Sequence, residues 1–315
     1  LALCLTAIAH PLAKPNVLLI VSDDQGYRDL GCFGSGEVRT PHLDRLAAGG
    51  IRLTSFYVAW PACTPSRGPL LTGRYPVRSH GWSMPASEVT IAERLKTVGY
   101  TTACIGKWDV SNPAPIKDRM PNAQGFDYYW GTLGANDGGR VRFHHNNKPD
   151  GKTADMASLT RIYTDKAIAF IRETAAARRP FACVVSMNPP HMPYTAFPKR
   201  YLKAYEGKSM EQIVTRGNVN ILGKDKFAQL ARAHTRNYYA MMTGVDDQFG
   251  RILKALRDAN LARNTIVVFT SDHGNCIGSH NQVSKNNHYE ESMRIPFLIR
   301  WPGKIPVRKD DLLFS

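Results

Sequence analysis

The chain has 315 residues, 43% hydrophobic and 21% charged, which suits one large α/β domain and excludes wholesale disorder. No apolar run approaches the roughly 20 residues that span a bilayer, so an integral membrane protein is excluded. Lys and Arg number 41 against 26 Asp and Glu, a formal net charge of +15. This excess predicts contact with an anionic partner: nucleic acid, an acidic membrane surface or a polyanionic substrate.

The first nine residues are apolar and uncharged, and they end in Ala7-Ile8-Ala9. This pattern is typical of the end of a secretory signal peptide, and the alternative is a short buried helix or strand. We predict a signal-peptide remnant at 1–9, one folded domain at 14–315 and a periplasmic or secreted location. Cleavage after Ala9 would leave five cysteines. No disulfide is expected among Cys32, Cys104, Cys183 and Cys276, because Cys104 and Cys183 lie within or beside predicted buried strands.

Short apolar runs predict strands that are buried on both faces of a sheet, at 17–21, 101–105, 181–186, 266–270 and 297–300. Between them, helical patterns lie at 90–98, 158–177 and 226–259. This alternation predicts an α/β fold with a central, largely parallel (mixed) sheet and helices on both faces. Ligands of such sheets bind at the carboxyl ends of the strands. The residues that follow each strand are therefore the candidates for a functional site.

Acidic residues follow two of the predicted strands. Asp23 and Asp24 come directly after the first strand, and Asp272 and His273 follow the strand at 266–270. Adjacent carboxylates repel one another unless a cation or protons intervene, and oxygen-rich sites suit Ca²⁺ or Mg²⁺. The pattern favours a divalent metal site, with turn or helix-cap roles as the alternative.

Three further residues are candidates for chemistry. Lys107 and His191 each follow a predicted strand, so both are expected at the same edge of the sheet. Cys63 lies close to Arg67, and a thiol beside a cation can be a thiolate nucleophile. The alternatives are a solvated Lys, a packed surface His and a buried or disulfide-bonded Cys. Composition leaves these alternatives open.

Five motifs together resemble those of the type I sulfatases, in the alkaline-phosphatase-like superfamily. They are Cys63-Thr64-Pro65-Ser66-Arg67, Gly99-Tyr100-Thr101-Thr102 running into Gly106-Lys107-Trp108, Pro190-His191-Met192-Pro193, Ser271-Asp272-His273-Gly274, and Lys285 ahead of Tyr289-Glu290 and Arg294-Ile295-Pro296. They keep the family order from residue 16 to about residue 303. The resemblance implies an alkaline-phosphatase-like fold and a sulfatase catalytic domain at 14–315. It also implies a C-terminal truncation, with the family's small C-terminal subdomain apparently absent.

The resemblance also implies hydrolysis of sulfate esters. A maturation enzyme would oxidise Cys63 to formylglycine, whose hydrate attacks sulfur with one hydroxyl and expels sulfate through the other. A divalent cation, Ca²⁺ by resemblance, would be held by Asp23, Asp24, Cys63, Asp272 and His273. Arg67 would hold the diol. Lys107, Lys285 and His191 would contact the substrate, with His191 and Lys285 placed to protonate the leaving alcohol.

One position departs from the family. Its second motif continues to a His two residues after the Lys, and that His is implied to take the proton as sulfate is released. This chain has Asp109 there. We expect that Asp109 acts as the base, that a His from elsewhere replaces it (His80, His144 or His145), or that turnover is slow.

The basic charge suits a sulfated polysaccharide or its oligosaccharides. The run that contains Arg140 and Arg142 is the predicted substrate-binding loop, with a solvated charged loop as the alternative. Two other functions stay open: a phosphoester or phosphonate monoester hydrolase of the same superfamily, and a catalytically impaired relative that binds polyanions. We expect no nucleic-acid partner, because no nucleic-acid-binding motif accompanies the charge.

Overall fold

The computed structural model describes residues 14–79, 81–112, 115–134, 136, 138–214, 216 and 218–315, so the predicted signal-peptide remnant at 1–9 lies outside the described residues. The strands are β1 (Asn16–Asp23), β2 (Ile51–Tyr57), β3 (Thr101–Lys107), β4 (Tyr128–Thr132), β5 (Arg140–His145), β6 (Lys148–Asp155), β7 (Phe181–Pro190), β8 (Thr265–Ser271), β9 (Arg294–Arg300) and β10 (Arg308–Phe314). The α-helices are α1 (Pro41–Ala48), α2 (Cys63–Thr72), α3 (Ile91–Thr97), α4 (Leu159–Ala176), α5 (Met210–Ile213), α6 (Lys226–Asp258) and α7 (Glu290–Met293).

All of these strands belong to one sheet, in the order β10-β2-β9-β8-β1-β7-β3-β4-β5-β6. Its centre, from β8 through β1, β7 and β3 to β4, is parallel throughout. Antiparallel pairs flank this centre, through β9 on one side and through β5 and β6 on the other. The predicted mixed, largely parallel sheet is therefore confirmed. The carboxyl ends of β1, β3, β7 and β8 meet at a single edge.

Alternate residues of the central strands bury themselves on opposite faces of the sheet. Leu18 and Ile20 of β1 join the larger core cluster, which includes side chains of α1, α4 and α6. Leu19, between them, packs in the smaller cluster with Leu71 of α2 and Ala92 of α3. Because both faces are covered, the strands have few polar positions, which explains their continuous apolar runs in the sequence. The predicted helices on both faces are confirmed.

The prediction that the run containing Arg140 and Arg142 forms a loop is wrong. Residues 140–155 form the hairpin of β5 and β6 at one end of the sheet. Buried and exposed residues alternate here, and the charged residues hide this pattern in the sequence. Val141 and Phe143 are buried in the core, while Arg140 and Arg142 are exposed. A period of two residues is that of a half-buried strand.

The described cysteines are all free thiols: Cys32, Cys63, Cys104, Cys183 and Cys276. This agrees with the expected lack of disulfides among them. Among the described residues, no helix combines the length and the apolar character that crossing a bilayer requires.

Gly106 in β3 provides a test of how tightly the centre of the sheet is packed. It has φ of +109°, and a Cβ at this position would overlap the carbonyl oxygen of Ser186 in β7. We expect Gly106→Ala to lower the free energy of unfolding by about 3 kcal/mol, from backbone strain and overpacking together. Urea denaturation measures this change.

Gly34 is the matched control for this substitution. Its φ is +96°, but a Cβ there would meet open space. Gly34→Ala is expected to cost only the backbone strain, about 1 kcal/mol. Equal losses for the two variants would contradict close packing at Gly106.

Candidate active site

One edge of the sheet collects all the predicted site residues except Arg140 and Arg142. Asp23 and Asp24 lie at the end of β1, Lys107 at the end of β3, and Asp272 just past β8. Neighbouring parallel strands end side by side, which is why residues more than 240 positions apart become neighbours. The remaining members come from the start of α2, from segments just past β3, β7 and β8, and from the loop before α7: Cys63, Arg67, Asp109, His191, His273 and Lys285.

Cys63 is the first residue of α2, and its Sγ atom lies at the centre of the cluster. This sulfur lies 3.1 Å from Nζ of Lys285, 3.3 Å from Nε2 of His273 and 3.6 Å from Oδ1 of Asp23. The helix begins here because Ala62 is extended and Pro65 lies in the first turn, where its missing N–H costs no hydrogen bond. The positive end of the helix dipole therefore faces the thiol.

The pKa of the Cys63 thiol reflects this cationic surrounding. Burial raises it and so does Asp23, but Lys107 and His273 outweigh both and bring the pKa to about 7. Burial instead raises the pKa of the Cys104 thiol to about 12. Cys63 is therefore the thiol of this pair that ionises near neutral pH.

Three buried carboxylates of the cluster each pair with a different cation. The closest contacts are 2.6 Å between Asp23 and Lys107, 2.5 Å between Asp24 and Lys285, and 2.8 Å between Asp272 and Arg67. Burial raises the pKa of Asp23, yet Lys107 holds it well below its usual range. Burial also raises the pKa of Asp24, but Lys285 outweighs burial and the pKa is lowered. Neighbouring cations therefore keep the buried Asp23 and Asp24 ionised.

Arg67 joins three strand ends to α2. Besides Asp272, its guanidinium donates to the carbonyl oxygen of Lys107 at 3.0 Å and to the hydroxyl of Ser186 at 2.5 Å. Burial lowers the pKa of Arg67, but Asp272 and Asp23 outweigh burial and raise the pKa above its usual value, so the group stays charged. The side chain of Ser66 also donates to the backbone carbonyl of Asp272. These bonds fix the position of Cys63 at the start of the helix.

Both imidazoles of the cluster are held cationic. Burial lowers the pKa of His191, but Asp24 and Asp23 outweigh it and raise the pKa to about 9. Burial opposes the same shift at His273, whose pKa rises to about 9 mainly through Asp272. Nδ1 of His191 lies 2.7 Å from the carbonyl oxygen of Met192, and its ring also hydrogen-bonds with Cys63. The ring is thus oriented by the backbone and directed at the thiol.

Asp109 is buried beside the first turn of α2. Its carboxylate accepts from the hydroxyl of Thr64 at 3.0 Å and lies 3.4 Å from Nζ of Lys107. The two described alternatives, His144 and His145, lie on β5, two strand spacings or about 10 Å from β3. His80 lies outside the described residues. Of these residues, Asp109 is the one that the structure joins to the cluster.

Two overlapping sets of side chains could hold a metal ion. Within each set the potential ligand atoms lie within 4.8 Å of one another, and both sets share Asp23 and Cys63. One adds Asp24 and His191, and the other adds Asp272 and His273. The first of these additions differs from the predicted ligand set, which lacked His191. Each set offers two carboxylate oxygens, the ligands that a hard divalent cation prefers, together with one thiol sulfur and one imidazole nitrogen.

A buried network that sequence analysis missed supports Asp24. The Tyr238 hydroxyl of α6 lies 2.9 Å from the Asp24 carbonyl oxygen and 2.6 Å from Oδ2 of Asp29. Arg216 pairs with the same carboxylate at 2.5 Å and donates to the carbonyl oxygen of Asn275 at 2.6 Å. Asn275 in turn donates to Asp24 at 3.1 Å. Tyr238 lies within α6 and Arg216 shortly after α5, so neither follows a strand within a motif and no local signal identified them.

Arg140 and Arg142 lie on β5, outside the cluster. Arg140 pairs with Asp155 at 3.3 Å and donates to the hydroxyl of Thr153. Since β5 runs antiparallel to β4, its Arg140 end points toward the edge that carries the site. Arg140 is therefore exposed at the same edge of the sheet as the cluster but outside it.

Comparisons with known proteins identify relatives of this chain. A family model described as Sulfatase matches residues 15–315. An ulvan-active sulfatase from Formosa agariphila is 35% identical over 300 residues, covering 92% of this chain and 57% of the relative. An endo-4-O-sulfatase from Bacteroides thetaiotaomicron is 31% identical over 356 residues, covering 98% and 68%. A solved Bacteroides fragilis protein, proposed as a sulfatase, has a TM-score of 0.85 at 33% identity, covering 97% of this chain and 72% of that one.

The ionisation of Cys63 predicts selective labelling of the unmatured, metal-free protein. We expect iodoacetamide to modify Cys63 at a rate that rises as the pH passes through about 7, because the thiolate is the reactive form. Cys104 is the internal control and should stay unlabelled over the same range. Mass spectrometry of the tryptic peptide 53–67 follows the reaction. Labelling of Cys63 that begins only above pH 9 would contradict a lowered pKa.

Proposed function

Because the chain belongs to the sulfatase family, we propose that it hydrolyses sulfate esters of a sulfated polysaccharide or its oligosaccharides. The observation that carries the proposal is the convergence on Cys63 of buried carboxylates and cations from separate strand ends. Such a cage stabilises negative charge that develops on a transferred anion. The chain spans 57% of the length of the ulvan-active relative, so the activity of the whole protein is part of this proposal.

The nucleophile is assigned to residue 63. Oxidation of Cys63 by a formylglycine-generating maturation enzyme would supply a hydrated aldehyde, with one hydroxyl to attack sulfur and a second to expel sulfate. Arg67 fixes the helix turn that presents this residue, through its bonds to Asp272 and to the Lys107 carbonyl oxygen. Its planar guanidinium matches carboxylates and sulfate oxygens alike.

A divalent cation fits the donor set of this site. Asp23, Asp24, residue 63, Asp272 and His273 would hold it, as four oxygen donors after maturation and one imidazole, and each of them belongs to one of the two sets of potential ligands. We assign Ca²⁺, because carboxylate oxygens are its preferred ligands. When bound, the ion supplies charge neutralisation for sulfate and a lower pKa for the attacking hydroxyl.

Lys285 and Lys107 are proposed to bind the sulfate oxygens. Lys285 is 19% exposed and its Nζ already contacts Sγ of Cys63, so it can reach a ligand there. Lys107 is 1% exposed and pairs with Asp23. Removing Lys107 would take the closest cation from a fully buried carboxylate and leave it Arg67 at 3.5 Å, and breaking a buried pair in this way destabilises a fold by about 3–5 kcal/mol. Removing Lys285 takes the closest cation from Asp24 in the same way, so the free energy of unfolding is measured beside the rate for either variant.

His191 is proposed to protonate the leaving alcohol. Its raised pKa keeps the ring protonated at neutral pH, and its ring bonds with Cys63. Asp109 is proposed to accept a proton as sulfate is released, in the position where the family has His. Its link to the nucleophile runs through Thr64, the next residue of the helix.

The substrate assignment rests on charge and on the relatives. The net charge of +15 favours a polyanion, and Arg140 and Arg142 are proposed as outer contacts for its chain. The names of the two curated relatives, an ulvan-active sulfatase and an endo-4-O-sulfatase, support a sulfated carbohydrate. A periplasmic or secreted location is proposed with it.

Protein matured with its formylglycine-generating enzyme and supplied with Ca²⁺ is expected to release sulfate from 4-nitrophenyl sulfate and from sulfated oligosaccharides. Cys63→Ala should abolish turnover, and Lys285→Ala should lower kcat/KM by about 10²–10³-fold through loss of a fixed cation. Initial rates and the mass of peptide 53–67 provide the measurements.

Lys304→Ala, at an exposed position outside the site, is the control for charge alone and should keep the parent rate. A larger kcat/KM for 4-nitrophenyl phosphate than for the sulfate ester would instead favour the phosphoester hydrolase. Polyanion binding without any ester hydrolysis would refute the enzyme proposal.

Asp109→Asn tests the role of this carboxylate. The substitution keeps the shape and a hydrogen bond with Thr64 but removes the base, so alcohol should appear in a burst equal to the enzyme concentration and then stall. Stopped-flow absorbance with 4-nitrophenyl sulfate resolves the burst. A steady rate equal to that of the parent would exclude Asp109 as the base.

A further inference from the structure

Two tryptophans form an aromatic pair beside the site. The rings of Trp60 and Trp82 lie 5.7 Å apart at an interplanar angle of 72°. Trp60 is half-buried, while 40% of Trp82 stays exposed. An edge-to-face contact of this kind fixes the ring of Trp82 and leaves one of its surfaces open to solvent.

Backbone hydrogen bonds tie both tryptophans to loops that carry site residues. Trp60 lies three residues before Cys63, and the carbonyl oxygen of the following Pro61 accepts from the backbone of Asn286 at 2.9 Å. Asn286 directly follows Lys285. The pair is thereby joined to the loop that presents Lys285 to the nucleophile.

The segment that holds Trp82 is joined to a second loop of the site. Two residues further along, the Met84 backbone donates to the carbonyl oxygen of Val110 at 2.9 Å. Val110 directly follows Asp109, whose carboxylate contacts Thr64 of the nucleophile helix. The segments that carry the two tryptophans are therefore each hydrogen-bonded to a loop of the site, one to the Lys285 loop and the other to the Asp109 loop.

The charged cage and the aromatic pair suit different parts of one ligand. The cage holds cations and carboxylates that fit an anion and a metal, and they offer little surface to the apolar C–H face of a sugar. A fixed, exposed indole provides a large, flat surface for such a face at low cost in side-chain entropy.

We propose that Trp82, supported by Trp60, is a stacking subsite for a pyranose ring of the sulfated carbohydrate. This inference rests on the proposed function, because the cage positions the sulfate group and the indole then selects the sugar that carries it or the neighbouring sugar. The subsite contributes binding rather than chemistry, so its effect falls on KM.

The test compares Trp82→Ala with Trp82→Phe in matured protein loaded with Ca²⁺. The substrate is the sulfated oligosaccharide, from a panel that includes ulvan oligosaccharides, that the parent desulfates fastest. Trp82→Ala is expected to raise KM about tenfold, as loss of one stacking contact does, with kcat within about twofold of the parent. Trp82→Phe keeps an aromatic ring and should recover most of that affinity.

Tyr75→Ala is the matched control, since Tyr75 is an exposed aromatic residue of the same segment, after α2. Its KM should stay at the parent value. An equal rise in KM for both alanine variants would assign the effect to the loop as a whole and overturn the subsite. An unchanged KM for Trp82→Ala would overturn it as well.

The aryl ester separates this inference from the sulfatase assignment. If 4-nitrophenyl sulfate is hydrolysed but no oligosaccharide of the panel is, the carbohydrate subsite is refuted while the sulfatase assignment stands. If neither class of ester is hydrolysed, both proposals are refuted.

Discussion

The rest of the site depends on the buried pairing of Arg67 with Asp272, which also brings Asp23 within 3.5 Å of the guanidinium. Two desolvated carboxylates this close would repel strongly without a cation between them. Arg67 belongs to α2, the helix that begins with Cys63. The same side chain therefore neutralises the carboxylates at the strand ends and holds Cys63 in position. Breaking such a pair costs far more than its net contribution to stability, since the partner charge is left unsolvated.

Further buried carboxylates are neutralised by cations in layers around this pair. Lys107 pairs with Asp23, and Lys285 pairs with Asp24. Behind them, Asp29 pairs with Arg216 and accepts a hydrogen bond from Tyr238. Every layer uses charges from segments far apart in the chain, so the site is rigid only when the whole sheet is formed. A preorganised cage of this kind does not need to rearrange when negative charge develops within it.

Much of this arrangement was predictable, and the limits have physical causes. The central strands are buried on both faces, so their apolar runs are unambiguous, and residues just past them, such as Asp23 and His191, are easily located. The β5–β6 hairpin was misjudged because Arg140 and Arg142 are solvent-facing members of a strand whose inner residues are few. Arg216 and Tyr238 were missed because their role exists only in three dimensions, where a helix side chain meets a loop from another part of the chain.

The position of β1 affects how the chain must be assembled. This first strand lies in the middle of the sheet, and its two neighbours, β7 and β8, begin at Phe181 and Thr265. β3 to β6 can pair with one another early, but β1 has no partner until β7 has been made, so contact order is high and folding is expected to be slow. During synthesis Cys63 therefore stays in an open, uncaged chain until most of the protein has emerged. That interval is when a modifying enzyme would have free access to a side chain that the finished fold surrounds with charge.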